Sequence, residues 1–360
     1  FDIITNVGPY SFTPTNIANQ IEVTAQDPAG NEVAEIADEP VVLPEQEPAI
    51  SITKNNVGTP VLNNDGSFDI IYSIDISNNG NANLSNIQIF DDLSNFSPIN
   101  TVNLSNTSAN LSSNANYNGI NDQSILIANS TLVPGETASV QLNLNVGPFA
   151  TNIVSITNLG IVNGTDPGAT IISDTSNVNT ILPAVNPIVV INKSILDGPT
   201  LQSNGTYETV YLIEVTNSGN TDLTNLQISD NLNILAPLNN VGISNVSANF
   251  NNNIGYNGLT DINLLTGTDN LSSNEIGFLQ ITINSGPYGN NLYNTENIAT
   301  VSAKDPAGNN LQENDSAITS YEPPNPLLGL SKALISSPAL LPNGTFNILL
   351  RFFVENSGNV

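Results

Sequence analysis

The sequence predicts an all-β protein built from tandem β-sandwich repeats of 139 residues. Three observations support this prediction. The same Gly- and Pro-containing motifs recur at a spacing of 139 residues, apolar residues alternate with polar ones, and no long window shows a helical period. Each feature is typical of short strands joined by tight turns, arranged in units that repeat along the chain.

The register of the repeat is set by glycines. They fall into three sets, and within each set the spacing is 139 residues without insertion or deletion: Gly8, Gly147 and Gly286; Gly66, Gly205 and Gly344; Gly80, Gly219 and Gly358. Glycine is the residue that best accepts a left-handed turn or the close approach of another backbone. We therefore predict a structural turn or a close backbone contact at each of these nine positions.

The strand prediction rests on a period of two. Aromatic and β-branched residues are expected to point inward in three equivalent segments, at Phe68, Ile70, Tyr72, Ile74 and Ile76, at Tyr207, Thr209, Tyr211, Ile213 and Val215, and at Phe346, Ile348, Leu350, Phe352 and Val354. Seven or more short strands per unit indicate an immunoglobulin-like sandwich. The unit is longer than the usual ~100 residues, and we expect Asn-rich stretches such as 106–119 to form the extra loops.

Repeat boundaries follow from Pro48, Pro187 and Pro326, each at the end of a Pro-containing stretch and just before an apolar strand. Proline fixes its own backbone and restricts the preceding residue, so these stretches predict short, semi-rigid linkers. We assign complete repeats to residues 48–186 and 187–325. Residues 1–47 are then the end of one repeat and 326–360 the start of another, and we expect the chain to be a segment of a longer protein that begins downstream of any targeting signal.

The amino-acid composition argues against several classes of function. With 32 acidic and 5 basic residues the net charge is −27, which opposes binding to nucleic acid or to anionic membranes. No apolar stretch approaches the length of a membrane span. The sequence has no His and no Cys, so it lacks the side chains of Ser-His-Asp triads, Cys-His pairs and thiolate or imidazole metal sites. We predict that the chain is not an enzyme and needs no cofactor.

An acidic turn recurs at Asp27, Asp166 and Asp305, as DPAG, DPGA and DPAG. Asp, Pro and Gly at these positions indicate a type I turn with an Asx-type bond between two strands. Calcium is the alternative, because the ion takes six to eight oxygen ligands and acidic residues follow each turn. The candidate ligands are Asp27 and Glu35, Asp166 and Asp174, and Asp305 and Glu313. No EF-hand or nonapeptide calcium motif accompanies them, and the turn-only interpretation is preferred.

Three of the five cations, Lys54, Lys193 and Lys332, close the first strand of a repeat. Each can pair with a nearby carboxylate. An exposed pair of this kind contributes only about 0.2–1 kcal/mol, so we interpret these lysines as structural.

The first half of each repeat resembles the bacterial conserved-repeat domain of giant surface proteins. That pattern has a Lys-ended strand, a Gly before a Tyr-containing strand, N-x-G, and a strand ending in D-x-L. The matching residues here are Lys54, Gly66, Tyr72, Asn78, Gly80, Asp91 and Leu93, and in the second copy Lys193, Gly205, Tyr211, Asn217, Gly219, Asp230 and Leu232. The later half, including VPGETASVQLNLNVGPF, is similar to the end of the same domain.

This resemblance implies an immunoglobulin-like stalk segment of a large extracellular adhesin at a bacterial cell surface, holding an adhesive tip away from the cell. The Asn-rich composition is similar to that of Bacteroidota gliding-motility adhesins exported by type IX secretion. Expected partners are other repeats of the chain, cell-surface anchoring proteins and glycans. Two alternatives stay open: the repeats themselves bind glycans or surfaces, or they pack laterally as a filament or sheath subunit.

Overall fold

The computed structural model describes residues 2–8, 17–127, 129–289 and 294–360. These residues form antiparallel β-sheets, with two short 3-10 helices. The chain divides into two compact units, Phe1–Ala184 and Val185–Val360. The all-β, immunoglobulin-like sandwich prediction is confirmed, whereas the division into four segments at residues 47, 186 and 325 stays a prediction.

The first unit begins with a hairpin and continues into a complete repeat. The hairpin is formed by β1 (Gln20–Gln26) and β2 (Glu32–Asp38). The repeat contains a 3-10 turn at Ser94–Phe96 and eight strands: β3 (Ile50–Asn56), β4 (Val61–Leu62), β5 (Phe68–Asn78), β6 (Ser85–Asp91), β7 (Ile99–Ser105), β8 (Thr137–Val146), β9 (Ser155–Thr165) and β10 (Ile171–Ile181).

The eight strands form two antiparallel sheets. One has the order β3-β5-β8-β7, with β4 paired to β5, and the other has the order β10-β9-β6. Inward residues of β5 fill the space between the sheets, because Phe68, Ile70, Tyr72, Ile74 and Ile76 are all at most 2% exposed. The predicted alternation is therefore correct for this strand.

The second unit repeats this architecture. Its 3-10 turn is Leu232–Leu235, and its eight strands are β11 (Val189–Leu201), β12 (Tyr207–Asn217), β13 (Leu223–Asp230), β14 (Leu238–Ser244), β15 (Asp269–Leu271), β16 (Ile276–Ser285), β17 (Asn294–Lys304) and β18 (Asn310–Ser320). The sheets have the orders β11-β12-β16-β14 and β15-β13-β17-β18. The predicted inward residues of β12, from Tyr207 to Val215, are buried.

The C-terminal strands correct one expectation. They are β19 (Leu328–Leu334), β20 (Ala339–Leu340), β21 (Phe346–Asn347) and β22 (Leu350–Asn356), and they pair as β19-β22 and β20-β21. Phe346, Ile348, Leu350, Phe352 and Val354 were expected to point inward, but they are between 37% and 68% exposed. The physical reason is that no second sheet packs on this face within the described residues.

The long loop of each repeat carries part of the core. In the first repeat it runs from 106 to 136, between β7 and β8, and includes the Asn-rich stretch predicted to be loop. Leu111, Tyr117, Ile125 and Leu132 of this loop are nevertheless buried. The extra length of the repeat therefore contributes to the packing of the sandwich as well as to its surface.

The two sheets meet at their edges through side chains. In the first repeat Asp174 Oδ2 accepts a hydrogen bond from the Ile52 amide at 3.0 Å, and Ser176 Oγ accepts one from the Lys54 amide at 3.0 Å. In the second repeat Asp315 Oδ2 accepts one from the Lys193 amide at 2.7 Å. Unpaired amides on an edge strand invite pairing with other chains, and these side chains remove that opportunity.

Candidate functional site

Strand alternation directs a lysine and an aspartate into the core of the first repeat. Lys54 lies on β3 in phase with the buried Ile50 and Ile52. Asp91 ends β6 in phase with the buried Ile87 and Ile89. Because β3 and β6 belong to different sheets, the two charged side chains face each other across the sandwich.

The lysine and the aspartate are in contact and fully enclosed. Lys54 Nζ lies 2.5 Å from Asp91 Oδ2, and neither side chain is exposed to solvent. Asn158 on β9 joins them, with its Nδ2 donating to the same Asp91 Oδ2 at 3.5 Å. Asp91 Oδ1 and Asn158 Oδ1 are buried and accept no hydrogen bond from any described residue.

Aromatic rings surround the three side chains. Lys54 Nζ lies 5.1 Å from the centroid of the Tyr72 ring, a cation–π distance. The Tyr72 hydroxyl is 2.5 Å from Thr180 Oγ1, and the Tyr117 hydroxyl donates to the Asp91 carbonyl oxygen at 3.5 Å. The site is therefore a polar cluster with apolar walls.

The second repeat contains the same cluster. Lys193 Nζ lies 2.5 Å from Asp230 Oδ2, and again neither side chain is exposed. Asn297 Nδ2 donates to Asp230 Oδ2 at 3.5 Å, and Lys193 Nζ lies 4.9 Å from the Tyr211 ring centroid. The Tyr256 hydroxyl donates to the Asp230 carbonyl oxygen at 3.3 Å. Asp230 Oδ1 and Asn297 Oδ1 also lack a partner among the residues that the structure describes.

Burial shifts the titration of both members of each pair toward the neutral form. Desolvation lowers the pKa of Lys54 and of Lys193, and the attraction of the neighbouring aspartate opposes that shift only in part. Desolvation raises the pKa of Asp91 and of Asp230, against the opposing effect of the lysines. In each group burial thus acts against the charged form, and the neighbouring charge acts in its favour.

The lysines do not form the exposed pairs considered from the sequence. Lys54 and Lys193 are buried, for the reason that each continues the inward alternation of its strand. Lys332, at the equivalent position in β19, is exposed and its Nζ lies 5.2 Å from the ring centroid of Phe352. Leu350 stands where the complete repeats have Tyr72 and Tyr211, and Phe352 stands where they have Ile74 and Ile213.

Sequence reasoning missed Asn158 and Asn297. Their 139-residue spacing was visible, but Asn is so frequent in this chain that one more recurrence carried little weight. The usable signal was alternation: Asn158 is in phase with Ile156 and Val162 on β9, which predicts a buried amide. A buried amide needs partners, and that need points to Asp91.

The nine predicted glycines divide into two groups. Six have a positive φ, between 79° and 99°: Gly8, Gly66, Gly147, Gly205, Gly286 and Gly344. The other three, Gly80, Gly219 and Gly358, lie against the Pro-containing linker. A Cβ on Gly219 would lie 2.6 Å from the Asn186 carbonyl oxygen and 2.9 Å from Pro187 Cα.

The asparagine that follows each of these three glycines accepts a hydrogen bond from the same linker segment. Asn81 Oδ1 accepts from the Glu47 amide at 2.8 Å, and Asn220 Oδ1 accepts from the Asn186 amide at 2.8 Å. Asn359 Oδ1 accepts from the Asn325 amide at 2.6 Å. We call the contact between a linker and its Gly-Asn pair the linker clamp, and it occurs at the start of all three repeats.

The acidic turns join β1 to β2, β9 to β10 and β17 to β18. Asp27 Oδ1 accepts from the Asn31 amide at 2.8 Å, Asp166 Oδ1 from the Thr170 amide at 2.7 Å, and Asp305 Oδ1 from the Asn309 amide at 2.8 Å. Hydrogen bonds from Asn31 lower the pKa of Asp27. Each of these aspartates therefore closes its own hairpin turn.

The other calcium candidates lie farther along the hairpins. Glu35, Asp174 and Glu313 pair in register with Val23, Val162 and Val301. Asp174 is three strand positions beyond Ile171, where β10 begins, a separation of about 10 Å. Within the described ranges, no group of three or more acidic residues is arranged to hold a metal ion. The turn-only interpretation stays the prediction, and calcium stays its alternative.

A shallow depression recurs on the surface of both repeats. In the first repeat it is lined by Ile99, Asn100, Thr101, Val102, Tyr117, Asn118, Ile120 and Asn121. In the second repeat the equivalent residues line it: Leu238, Asn239, Asn240, Val241, Tyr256, Asn257, Leu259 and Thr260. Asparagine side chains and a tyrosine line each depression, and such groups can contact a polar ligand.

In the part of the chain that the structure describes, no helix is long and apolar enough to cross a membrane. No protein-family model matches the sequence, and no curated protein is significantly similar to it. Among solved structures, the chain is similar to the CupB6 tip adhesin from Pseudomonas aeruginosa, with a TM-score of 0.37 and 10% identity over 76% of this chain and 99% of that one. It is also similar to BspA_C_WT, with a TM-score of 0.23 and 12% identity over 74% of this chain and all of that one. Both scores are low, and the function proposed below rests on the residues of this chain.

Proposed function

We propose that the chain is a stalk segment of a bacterial cell-surface adhesin, in which the repeats serve as mechanical spacers rather than as catalysts. The observation that carries this proposal is the recurrence, without insertion, of contacts that hold each repeat together. In each complete repeat a buried lysine-aspartate pair joins the two sheets, and a linker clamp fixes the entering chain. A spacer needs these properties, whereas a catalytic site does not.

The linker clamp lies at the start of a repeat, where a pulling force on the linker would first act. In the second repeat the clamp glycine, Gly219, lies two residues after the end of β12, the hydrogen-bonded neighbour of β11. A pull on the linker is thereby shared between two strands. The lysine of β11 passes part of the load to the opposite sheet through Asp230.

The charge of the chain suits an extracellular location. A net charge of −27 keeps neighbouring copies apart through mutual repulsion and keeps the chain soluble at high local density. The edge-strand amides capped by Asp174, Ser176 and Asp315 serve the same end, because they cannot recruit a strand from another chain. These features disfavour the alternative of a laterally packed filament or sheath.

A role in gliding motility with export by type IX secretion is the finer form of this proposal. It rests on the resemblance of each repeat to the conserved-repeat domain, including Lys54, Gly80 and Asp91. In that form, anchoring proteins at the cell surface are the expected partners.

Repeat number should set molecular length. In a series of proteins, the single copy of residues 48–186, which begins at Pro48 and ends before Pro187, is replaced by two, three or four copies. The maximum dimension of these proteins should increase by a constant increment per copy. An 11-residue strand at ~3.3 Å per residue suggests about 4 nm per repeat. Small-angle X-ray scattering of the series checks this. If the maximum dimension instead increased by a smaller amount with each added copy, as it does for a compact globular protein, the spacer role would be contradicted.

Binding by the repeats themselves is the second candidate, favoured by the depression that recurs beside Tyr117 and Tyr256. A glycan array probed with the 360-residue chain distinguishes the two functions. Saturable binding that is weakened by both Asn118→Ala and Asn257→Ala would establish a binding role and overturn the passive stalk. We expect no saturable binding.

A further inference from the structure

We propose that Lys54 and Asn158 form an intramolecular amide (isopeptide) bond, with Asp91 as the catalytic acid-base, and that Lys193, Asp230 and Asn297 do the same in the second repeat. Nothing in this inference depends on the stalk function. It rests on the geometry of two buried clusters that are identical in residue type, spacing and contact.

The geometry brings together an amine, a carboxamide and a proton carrier. Asp91 Oδ2 lies 2.5 Å from Lys54 Nζ and 3.5 Å from Asn158 Nδ2, so one oxygen reaches both nitrogens. Asn158 Oδ1 and Asp91 Oδ1 are buried without a partner among the described residues. An orphaned buried oxygen is costly and requires an explanation. An amide bond leaves these two oxygens in place, but it removes the buried amine and the primary amide, which are two further polar groups of the cluster.

The electrostatic environment favours the reacting forms. The same burial that lowers the pKa of Lys54 favours the neutral amine, the form with a free lone pair. Burial also raises the pKa of Asp91, which favours the protonated carboxyl that can donate. Neither Lys54 nor Asp91 is exposed to solvent, so bulk water, which would otherwise compete as a nucleophile, does not reach them.

The step balances without an oxidant or a co-reactant. Lys54 Nζ attacks Asn158 Cγ, and the new Nζ–Cγ bond forms as the carbonyl oxygen takes up the electron pair. Asp91 gives its proton to Nδ2 and receives one from Nζ. The Cγ–Nδ2 bond then breaks, ammonia leaves, and Asp91 is again protonated. The products are a secondary amide and one ammonia molecule per repeat.

The position of Asp91 distinguishes this reaction from its alternative, an amide between Lys54 and Asp91 with loss of water. In the alternative the acid would itself be consumed, and Asn158, which does not titrate, would have to carry the protons. In the proposed reaction Asp91 lies between donor and acceptor and is regenerated. The bond would then join β3 of one sheet to β9 of the other.

Intact-mass spectrometry of the denatured 360-residue chain tests the proposal. We expect a mass below that of the sequence by two ammonia molecules. Lys54→Arg and Asp91→Asn should each restore one ammonia, and the second repeat serves as an internal reference for folding and maturation. The matched control is Lys332→Ala, because Lys332 occupies the same position but is exposed; this variant should still lack two ammonia molecules.

Fragmentation of a protease digest locates the bond. We expect a branched species that contains the peptides around Lys54 and Asn158, and a second around Lys193 and Asn297. The full sequence mass in the wild-type chain would overturn the proposal, whatever the variants do. Loss of water instead of ammonia would overturn the assignment of Asn158 as the acyl group.

Discussion

Lys54 Nζ and Asp91 Oδ2 lie 2.5 Å apart between the two sheets of the first repeat, and neither side chain reaches solvent. The second repeat has the same contact between Lys193 and Asp230. The two contacts enclose a lysine in the core of each sandwich, where the aspartate is its ion-pair partner. The stability of a repeat should therefore respond strongly to loss of that partner.

Removing the partner alone should be worse than removing the pair. Asp91→Ala leaves Lys54 buried without compensation, whereas the double variant Lys54→Met/Asp91→Leu replaces both polar groups with apolar ones. We expect the double variant to be more stable than Asp91→Ala by about 3–5 kcal/mol. Urea denaturation measures the difference, and equal stabilities would show that the lysine is not enclosed.

The linker clamp predicts a contrast between two glycines of the same repeat. A Cβ on Gly219 would lie 2.6 Å from the Ile188 amide nitrogen, whereas a Cβ on Gly242 has no heavy atom within 4 Å. Gly219→Ala should lower the stability of the second repeat by about 1–3 kcal/mol through overpacking. Gly242→Ala is the control and should leave it nearly unchanged. Proteolysis near Pro187 should accelerate only in Gly219→Ala, and identical cleavage rates would contradict the clamp.

A turn in the first repeat should be more sensitive to acid than its equivalent in the second. The Asp65 carboxylate accepts from the amide and the hydroxyl of Ser67, at 2.9 and 2.6 Å, and these bonds lower its pKa below 3.8. A carboxyl with a lowered folded-state pKa stabilises the fold above its unfolded pKa, and this contribution is lost as the pH falls through the folded pKa. Asn204 makes the same two bonds to Thr206 without titrating.

Exchanging Asp65 and Asn204 tests the predicted direction of this pH dependence. Between about pH 5 and pH 2, the wild-type turn should lose more hydrogen-exchange protection than Asp65→Asn. The reciprocal variant, Asn204→Asp, should acquire the same loss in the second repeat. Acid profiles that do not change on either exchange would rule out the contribution of the carboxylate.

The acidic turns predict that calcium is not needed for stability. The carboxylates of Asp27, Asp166 and Asp305 already accept hydrogen bonds from their own turns, and Asp174 accepts one from Ile52. We expect the same melting temperature in the presence of calcium and in EDTA. A midpoint that rises with calcium, and no longer rises in Asp166→Ala, would establish a site at the turn.

The sequence alone was sufficient for the strands and the register, because both depend on local patterns. Alternation placed Phe68 to Ile76 inward, and the glycine spacing located Gly80 and Gly219. The same alternation indicates that Lys54 is buried, because this residue follows Ile50 and Ile52 in phase. From the sequence we weighed the lysine pair only as an exposed one, whereas Lys54 and Asp91 are enclosed.

The cluster itself was out of reach of sequence reasoning. Lys54, Asp91 and Asn158 lie on three strands of two sheets, so their contact depends on how the sheets pack. Exposure of the Phe346 to Val354 face was equally hidden, since alternation shows which residues share a face and not whether a second sheet covers it. The features that were predicted depend on local conformation, whereas the features that were missed depend on long-range packing between the sheets.

A force–extension measurement on the 360-residue chain, held at its two ends, tests the mechanical role of the repeats most directly. We predict two discrete unfolding steps, one for each complete repeat. A repeat of 139 residues would release about 45–50 nm when free, but roughly a quarter of that when Lys54 is bonded to Asn158, because only residues 48–53 and 159–186 then extend. Lys54→Arg/Lys193→Arg should restore full-length steps. Two full-length steps in the wild type would contradict the amide bonds alone, and extension without discrete steps would contradict the claim that each repeat is a mechanical module.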